Sequence, residues 1–178
     1  KKILEPKDIK TRPLKDLTKE SIFNIISHSN KFKINLENSN ILDLFSGVGS
    51  FGIECLSRGV KKVTFIENYN RVLPVLKKNL TNLKLIKNYL IIEKDIYDNS
   101  VFLKLENKFN IIFLDPPFKD INLDKVLSNI KDKKILDRNG IIIVHRHKSE
   151  KDILSKNFRI IEEKKYGISK IIFLSLLN

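Results

Sequence analysis

The 178-residue chain has one cysteine, no methionine and no tryptophan. A single cysteine excludes any disulfide framework within the chain and fits a reducing, cytoplasmic compartment. Cys55 reads as a small buried thiol on a helix rather than as a nucleophile. With no methionine anywhere, the chain is expected to begin after its initiation site. No apolar run approaches the ~18 residues that mark a bilayer span. The segment Lys1 to Lys10 is polar and basic and lacks the apolar stretch of a signal peptide, so no membrane partner is expected. Acids are also scarce, 21 against 34 Lys and Arg, for a formal charge of +13. A charge of that size favours a polyanionic partner held through phosphate contacts. The competing source is an AT-rich genome, whose codons favour the lysine, isoleucine and asparagine abundant here.

Apolar residues nevertheless make up 42% of the chain, too many for a disordered protein. The length fits one domain, 1–178, with 1–30 as an N-terminal extension and helix and 40–178 as the core. Strand and helix patterns alternate through that core. Thr18 to His28 reads as a helix with Thr18 as its N-cap. Asn30 to Ser39 is a polar connection, and Ile41 to Phe45 is a short apolar strand. A glycine-rich turn leads into a helix that ends at Arg58, with Gly59 placed to terminate it. Val63 to Ile66, Tyr89 to Ile92, Ile111 to Leu114 and Ile141 to Val144 are further strands. Between them, Tyr69, Val72, Leu73, Leu76 and Leu80 recur at helical spacing, which Pro74 permits only in a first turn. Val101 to Leu105 and Leu123 to Ile130 complete the helices. Phe158 to Tyr166 and Ile168 to Leu176 are joined so tightly around Gly167 that they must form a hairpin. The pattern predicts an α/β fold: a mainly parallel sheet with one antiparallel strand and helices on both faces.

Two stretches carry chemistry. The first, Asp43 to Gly52, contains G-x-G-x-x-G between a strand and its helix. Glycines there let a ligand approach the backbone, and the helix start offers free N–H groups. Glu67 lies 20 residues beyond Gly47, at a strand end where a carboxylate can accept from both hydroxyls of a ribose. A nicotinamide dinucleotide and S-adenosylmethionine both carry such a ribose. Asp43 favours the second, because a carboxylate beside the loop suits a cationic ligand and repels a pyrophosphate. Asp95 follows the third strand, where an acid can accept from an adenine amine.

The second stretch is Asp115-Pro116-Pro117-Phe118, directly after Ile111 to Leu114. Open α/β sheets bind ligands at the carboxyl ends of their strands. An exocyclic base amine is a poor nucleophile, because its lone pair is delocalised into the ring. Acceptors at Asp115 and at the Pro116 carbonyl would favour its pyramidal, reactive form. The two prolines stiffen the backbone that aims those acceptors. Phe118 offers a face on which an extruded base can stack, worth ~1–3 kcal/mol.

Asp43 to Gly52, Glu67, Asp95 and Asp115 to Phe118 resemble the motifs of class I methyltransferases of the amino-methylating kind. A narrower similarity extends over nearly the whole chain. Arg12-Pro13, Lys19 to Asn24, Leu42 to Gly47, Glu54 to Gly59, Lys78-Asn79-Leu80 and Tyr166-Gly167 resemble the RsmD family. That family consists of bacterial enzymes that place one methyl group on guanine N2 of 16S rRNA. The resemblance implies a Rossmann-like, seven-stranded sheet with strand seven antiparallel between strands five and six. It implies S-adenosylmethionine as cofactor, held by Asp43, Phe45, Ser46, Gly47, Gly49, Ser50, Glu67, Asn68, Asp95 and Ile96. It implies Asp115, Pro116, Pro117 and Phe118 as the catalytic group, and Arg12, Lys15 and Lys19 on RNA phosphates. The implied partner is 16S rRNA within the small ribosomal subunit, met by a monomer without a metal. Two positions depart from the family pattern: Leu14 stands where the family has threonine, and Val144-His145 where it has Val-Glu. His145 and His147 are expected to be ordinary loop histidines, since no third metal ligand is evident. The main alternative is an adenine-N6 methyltransferase acting on DNA or RNA. A dinucleotide-dependent oxidoreductase leaves Asp-Pro-Pro-Phe unexplained, and a non-catalytic RNA-binding module leaves the intact glycine loop and Asp115 unexplained.

Overall fold

The computed structural model describes residues 3–4, 14, 16–83, 87–105, 107–117, 120–151 and 156–177. Seven strands form one sheet in the order β3-β2-β1-β4-β5-β7-β6. They are β1 (Asn40–Leu44), β2 (Lys62–Ile66), β3 (Tyr89–Ile92), β4 (Phe109–Leu114), β5 (Leu136–His147), β6 (Phe158–Tyr166) and β7 (Ser169–Leu176). The first five run parallel, and β7 is antiparallel to both β5 and β6. The hairpin expected around Gly167 is therefore present, and its second strand is the one inserted into the sheet.

The strands on either side of β1 explain where a ligand can enter. From β1 the chain proceeds outward through β2 to β3, then returns to place β4 on the other flank of β1. Strand order reverses at that point, and the connections leave on opposite faces, opening a crevice beyond Leu44 and Leu114, which are register partners.

Period-2 alternation divides the sheet residues between two cores. Ile41, Val63, Phe65, Ile111, Phe113, Ile143 and Phe173 pack on the face covered by α1 (Asp16–His28), α2 (Ser50–Ser57) and α3 (Leu73–Thr81). Leu42, Leu44, Ile66, Ile112, Leu114, Ile142 and Leu174 pack on the face covered by α4 (Ser100–Leu103) and α5 (Leu123–Asp132). The Phe51 ring of α2 stacks on Phe23 of α1 at 5.5 Å and on Phe113 of β4 at 4.1 Å. This column docks α1 on the sheet through α2. Each such pair contributes ~0.5–1.5 kcal/mol beyond its buried area.

Several local expectations need correction. Helix α1 begins at Asp16, so Thr18 is not its N-cap but a buried residue of the first turn. The Asn30 to Ser39 connection contains a 3-10 turn, Leu36–Asn38, which the Asn35 side chain caps by accepting from Glu37 N. Strand β5 is 12 residues long rather than four; its ends are largely polar, so hydropathy marked only the apolar centre. Leu14 is buried and packs into the α1–α3 core. Pro74 does sit in the first turn of α3, which starts only at Leu73. Cys55 is fully buried, and burial pushes its thiol pKa up. Among the described residues no helix is long and apolar enough to cross a membrane.

Candidate active site

The turn after β1 is built around two carboxylates that hold backbone. Asp43, 1% exposed, accepts from Gly52 N at 2.9 Å. Glu67 reaches back from the end of β2 to accept from Gly47 N at 2.7 Å. Its other oxygen accepts from Asn68 N and Tyr69 N, at 2.9 and 2.8 Å. Ser46 donates its hydroxyl to the Asp43 carbonyl at 2.6 Å. These bonds shape a tight loop in which Phe45, Gly47 and Gly49 have φ of 58°, 54° and 84°. For phenylalanine that conformation costs ~1–3 kcal/mol and must be held by its surroundings. The Phe45 ring packs against Tyr97 at 5.9 Å.

The glycines also serve a purpose that the spacing did not reveal. A Cβ on Gly49 would lie 2.6 Å from the Leu76 side chain. One on Gly52 would lie 2.3 Å from the Phe65 ring and 2.9 Å from Asp43 Oδ2. Gly52 therefore permits helix–strand contact rather than approach of a ligand. Ser50 is buried, and its hydroxyl points back to the Leu14 carbonyl at 3.4 Å. Asn68 and Asp95 are exposed at the strand ends, Ile96 is buried, and Asp95 Oδ1 accepts from Tyr97 N at 2.9 Å.

Asp115 stands across the crevice. Its N–H reaches the Leu44 carbonyl at 3.4 Å, tying the two strand ends together. Oδ1 lies 2.8 Å from His145 Nδ1, and His145 Nε2 lies 2.9 Å from Ser169 Oγ. Among the described residues nothing donates to Asp115 Oδ2 or to the Pro116 carbonyl. The next carbonyl, that of Pro117, accepts from Arg146 Nη1 at 3.1 Å and from Asp120 N at 2.8 Å. Arg146 also donates to the Asp120 carbonyl at 2.8 Å, and its guanidinium is buried. The Tyr97 hydroxyl donates to the Asp120 carboxylate; burial and this bond push the phenol pKa far up. Loop 115–117 is thus braced from beneath by β5 and at its side by the segment after β3.

The structure brings most of the expected site residues to one edge of the sheet, but not all in the expected roles. Phe118, Arg12 and Lys15 lie outside the described residues. Lys19 is buried and paired with the exposed Asp16 at 3.0 Å within α1. His145 and His147 are strand rather than loop residues. His145, Arg146, Ser169 and Tyr97 were missed as members of the site. The signal lay in β5, where a His-Arg pair follows the apolar Ile141 to Val144 at a strand end facing the crevice. Among the described residues no cluster of three potential metal ligands exists.

The electrostatics fit a cation. Burial, opposed by the Gly52 bond, raises the Asp43 pKa well above the usual carboxylate range, and the charges of Asp115 and Glu67 raise it further. Among the described residues no Lys or Arg pairs with any of these three acids. A ligand bearing a sulfonium and an ammonium group would relieve their mutual repulsion, whereas a pyrophosphate would add to it. This arrangement makes a pH prediction. Asp43 binds its proton more tightly folded than unfolded, so its contribution to stability is fully present below ~3.9. That contribution is lost as pH rises toward the raised folded value. Asp43→Asn can still accept from Gly52 N. Urea titrations across this window are expected to show a smaller fall in stability for the variant than for the wild type. Parallel curves would place the raised pKa elsewhere.

Similarity to known proteins agrees with this geometry. The family model described as conserved hypothetical protein 95 matches residues 1–175. Ribosomal RNA small subunit methyltransferase D of Haemophilus influenzae is 35% identical over 161 residues, 88% of this chain and 79% of that protein. The protein of the same name from Buchnera aphidicola subsp. Baizongia pistaciae is 32% identical over 157 residues, 86% of this chain and 76% of its own length. A crystal structure of a Haemophilus influenzae protein superposes with a TM-score of 0.73 at 32% identity, covering 92% of this chain and 98% of that one.

Proposed function

The chain belongs to the conserved hypothetical protein 95 family, the RsmD family with its class I methyltransferase fold, and from that premise we propose that it methylates guanine N2 in 16S rRNA. S-adenosylmethionine is the cofactor, and when bound it supplies an electrophilic methyl carbon whose bond to sulfur breaks with the electron pair left on sulfur. Glu67 would hold the ribose and Asp95 the adenine amine, with the glycine loop beside them. Arg12 and Lys15 would contact RNA phosphates.

The observation that carries this reading is a pair of acceptors, Asp115 Oδ2 and the Pro116 carbonyl, to which none of the described residues donates. The next carbonyl, that of Pro117, is by contrast engaged by Arg146 and Asp120. Two acceptors side by side suit an amine with two N–H groups. Accepting both would localise the nitrogen lone pair toward the methyl carbon. As the carbon–nitrogen bond forms, the surplus N–H proton passes to Asp115. The buried Pro116 and the Arg146 brace hold these acceptors still, and preorganisation of this kind accounts for much of enzymatic rate enhancement.

We take the chain as a single domain acting as a monomer in the cytoplasm, on RNA within the small subunit. The test is methyl transfer from labelled S-adenosylmethionine to undermethylated small subunits, followed by nucleoside digestion. Label in N2-methylguanosine is expected. Label in N6-methyladenosine would keep the cofactor and replace the base. Absence of label on subunits, free rRNA and DNA would refute the proposal.

A further inference from the structure

We propose that His145 and Ser169 are positioning residues for Asp115, forming a hydrogen-bond chain that fixes one carboxylate oxygen and leaves the other to the acceptor nitrogen. The inference rests on the reading of Asp115 as the acid that orients the amine.

The chain crosses three strands of the sheet. Asp115 directly follows β4, His145 lies near the end of β5, and Ser169 opens β7. His145 is the register partner of Ile171, so Ser169, two residues away, projects on the same face as Ile171. The distances, 2.8 Å and 2.9 Å, are those of well-formed bonds. In every placement of protons that they fit, Nδ1 is the donor to Asp115. An ionised carboxylate only accepts, so Nδ1 carries the ring hydrogen and donates it to Oδ1. Nε2 accepts from the Ser169 hydroxyl when the ring is neutral and donates to it when the ring carries both protons. Each bond polarises the next toward Asp115.

The same three residue types form nucleophilic triads in hydrolases, but burial runs the other way here. Ser169 is buried and the His145 side chain is 10% exposed, whereas the Asp115 side chain is 21% exposed at the crevice. The hydroxyl has no access to an acyl substrate, and the acid is the working end. A carboxylate held by one oxygen keeps its plane, so Oδ2 and the Pro116 carbonyl stay in a fixed relation. A loosely held catalytic group can lose ~10²-fold in rate through misplacement of about 1 Å.

The experiment pairs a spectroscopic readout with kinetics. In ¹⁵N-histidine-labelled protein, His145 is expected to give a hydrogen-bonded Nδ1–H resonance that moves in Asp115→Asn. In Ser169→Ala, the Nε2 shift is expected to change. Kinetically, His145→Leu is expected to lower kcat by ~10–10²-fold with little change in KM for either substrate. His145→Asn, whose amide can still donate toward Oδ1, is expected to recover most of that loss. A His145 resonance indifferent to both Asp115→Asn and Ser169→Ala would overturn the chain. Equal kcat for His145→Leu and wild type, or no recovery by His145→Asn, would overturn its positioning role. If the wild type transfers no methyl group while the resonance responds as expected, the chain stands and the functional reading falls.

Discussion

Asp115→Ala is expected to lower turnover by at least ~10²–10³-fold, the range seen when one preorganised polar group is removed from an active site. Cofactor affinity should stay close to wild type. The residues expected to face the cofactor lie in the turns after β1, β2 and β3, whereas Asp115 follows β4. The substitution removes one of the two acceptors and leaves the other, at Pro116, in place. It also leaves His145 Nδ1 without its 2.8 Å partner, so a modest loss of stability is expected as well. Single-turnover methyl transfer alongside calorimetric titration with cofactor separates these effects. Asp115→Asn sharpens the comparison, because it keeps the shape and one acceptor oxygen while losing the charge. Turnover near wild type in both variants would remove Asp115 from the reaction.

The second large effect concerns stability. Gly52→Ala is expected to cost ~1–3 kcal/mol, as overpacking of a close-packed interior does. The added Cβ would sit 2.3 Å and 2.7 Å from two Phe65 ring carbons. Phe65 is fully buried in β2 and has nowhere to go. Helix α2 must lift instead, which stretches the 2.9 Å bond from Gly52 N to Asp43. Cofactor affinity should therefore fall together with the urea midpoint. Gly59→Ala is the control. Its φ is 79°, but nothing lies within 4 Å of the added atom, so only backbone strain of ~1–2 kcal/mol applies. A Gly52 variant as stable as wild type, with unchanged affinity, would show that α2 is not held at this distance.

The contrast between these glycines shows what sequence could and could not convey. Gly59 was legible because terminating a helix is a local, conformational task. Gly47 and Gly49 were legible as a turn for the same reason. The task of Gly52 is set by Phe65, a strand away, and spacing alone could not assign it. The same division holds for the strands. Ile41 to Leu44 was visible because its buried strand is apolar apart from Asp43, and Tyr89 to Ile92 because four consecutive residues are apolar or aromatic although the strand is only partly buried. The polar ends of β5 were hidden, since residues there meet neighbours rather than an apolar core. Asp115 was found because Asp-Pro-Pro is distinctive. His145 stood out only as a departure from the family pattern, because its contacts with Asp115 and Ser169 reach across strands and no local pattern encodes them. The burial of Lys19 and its pairing with Asp16 were not legible either, because they depend on how α1 packs.

The place of β7 within the sheet has a consequence for how the molecule is made. Of the seven strands it is the last to leave the ribosome, yet it fills an interior position between β5 and β6. Until it arrives, β5 presents an open row of backbone donors and acceptors, and β6 has no neighbour to receive it. A nascent chain at that stage carries an adhesive edge along β5. Ser169 arrives with the same strand, so the last segment that closes the sheet also completes the support beneath Asp115.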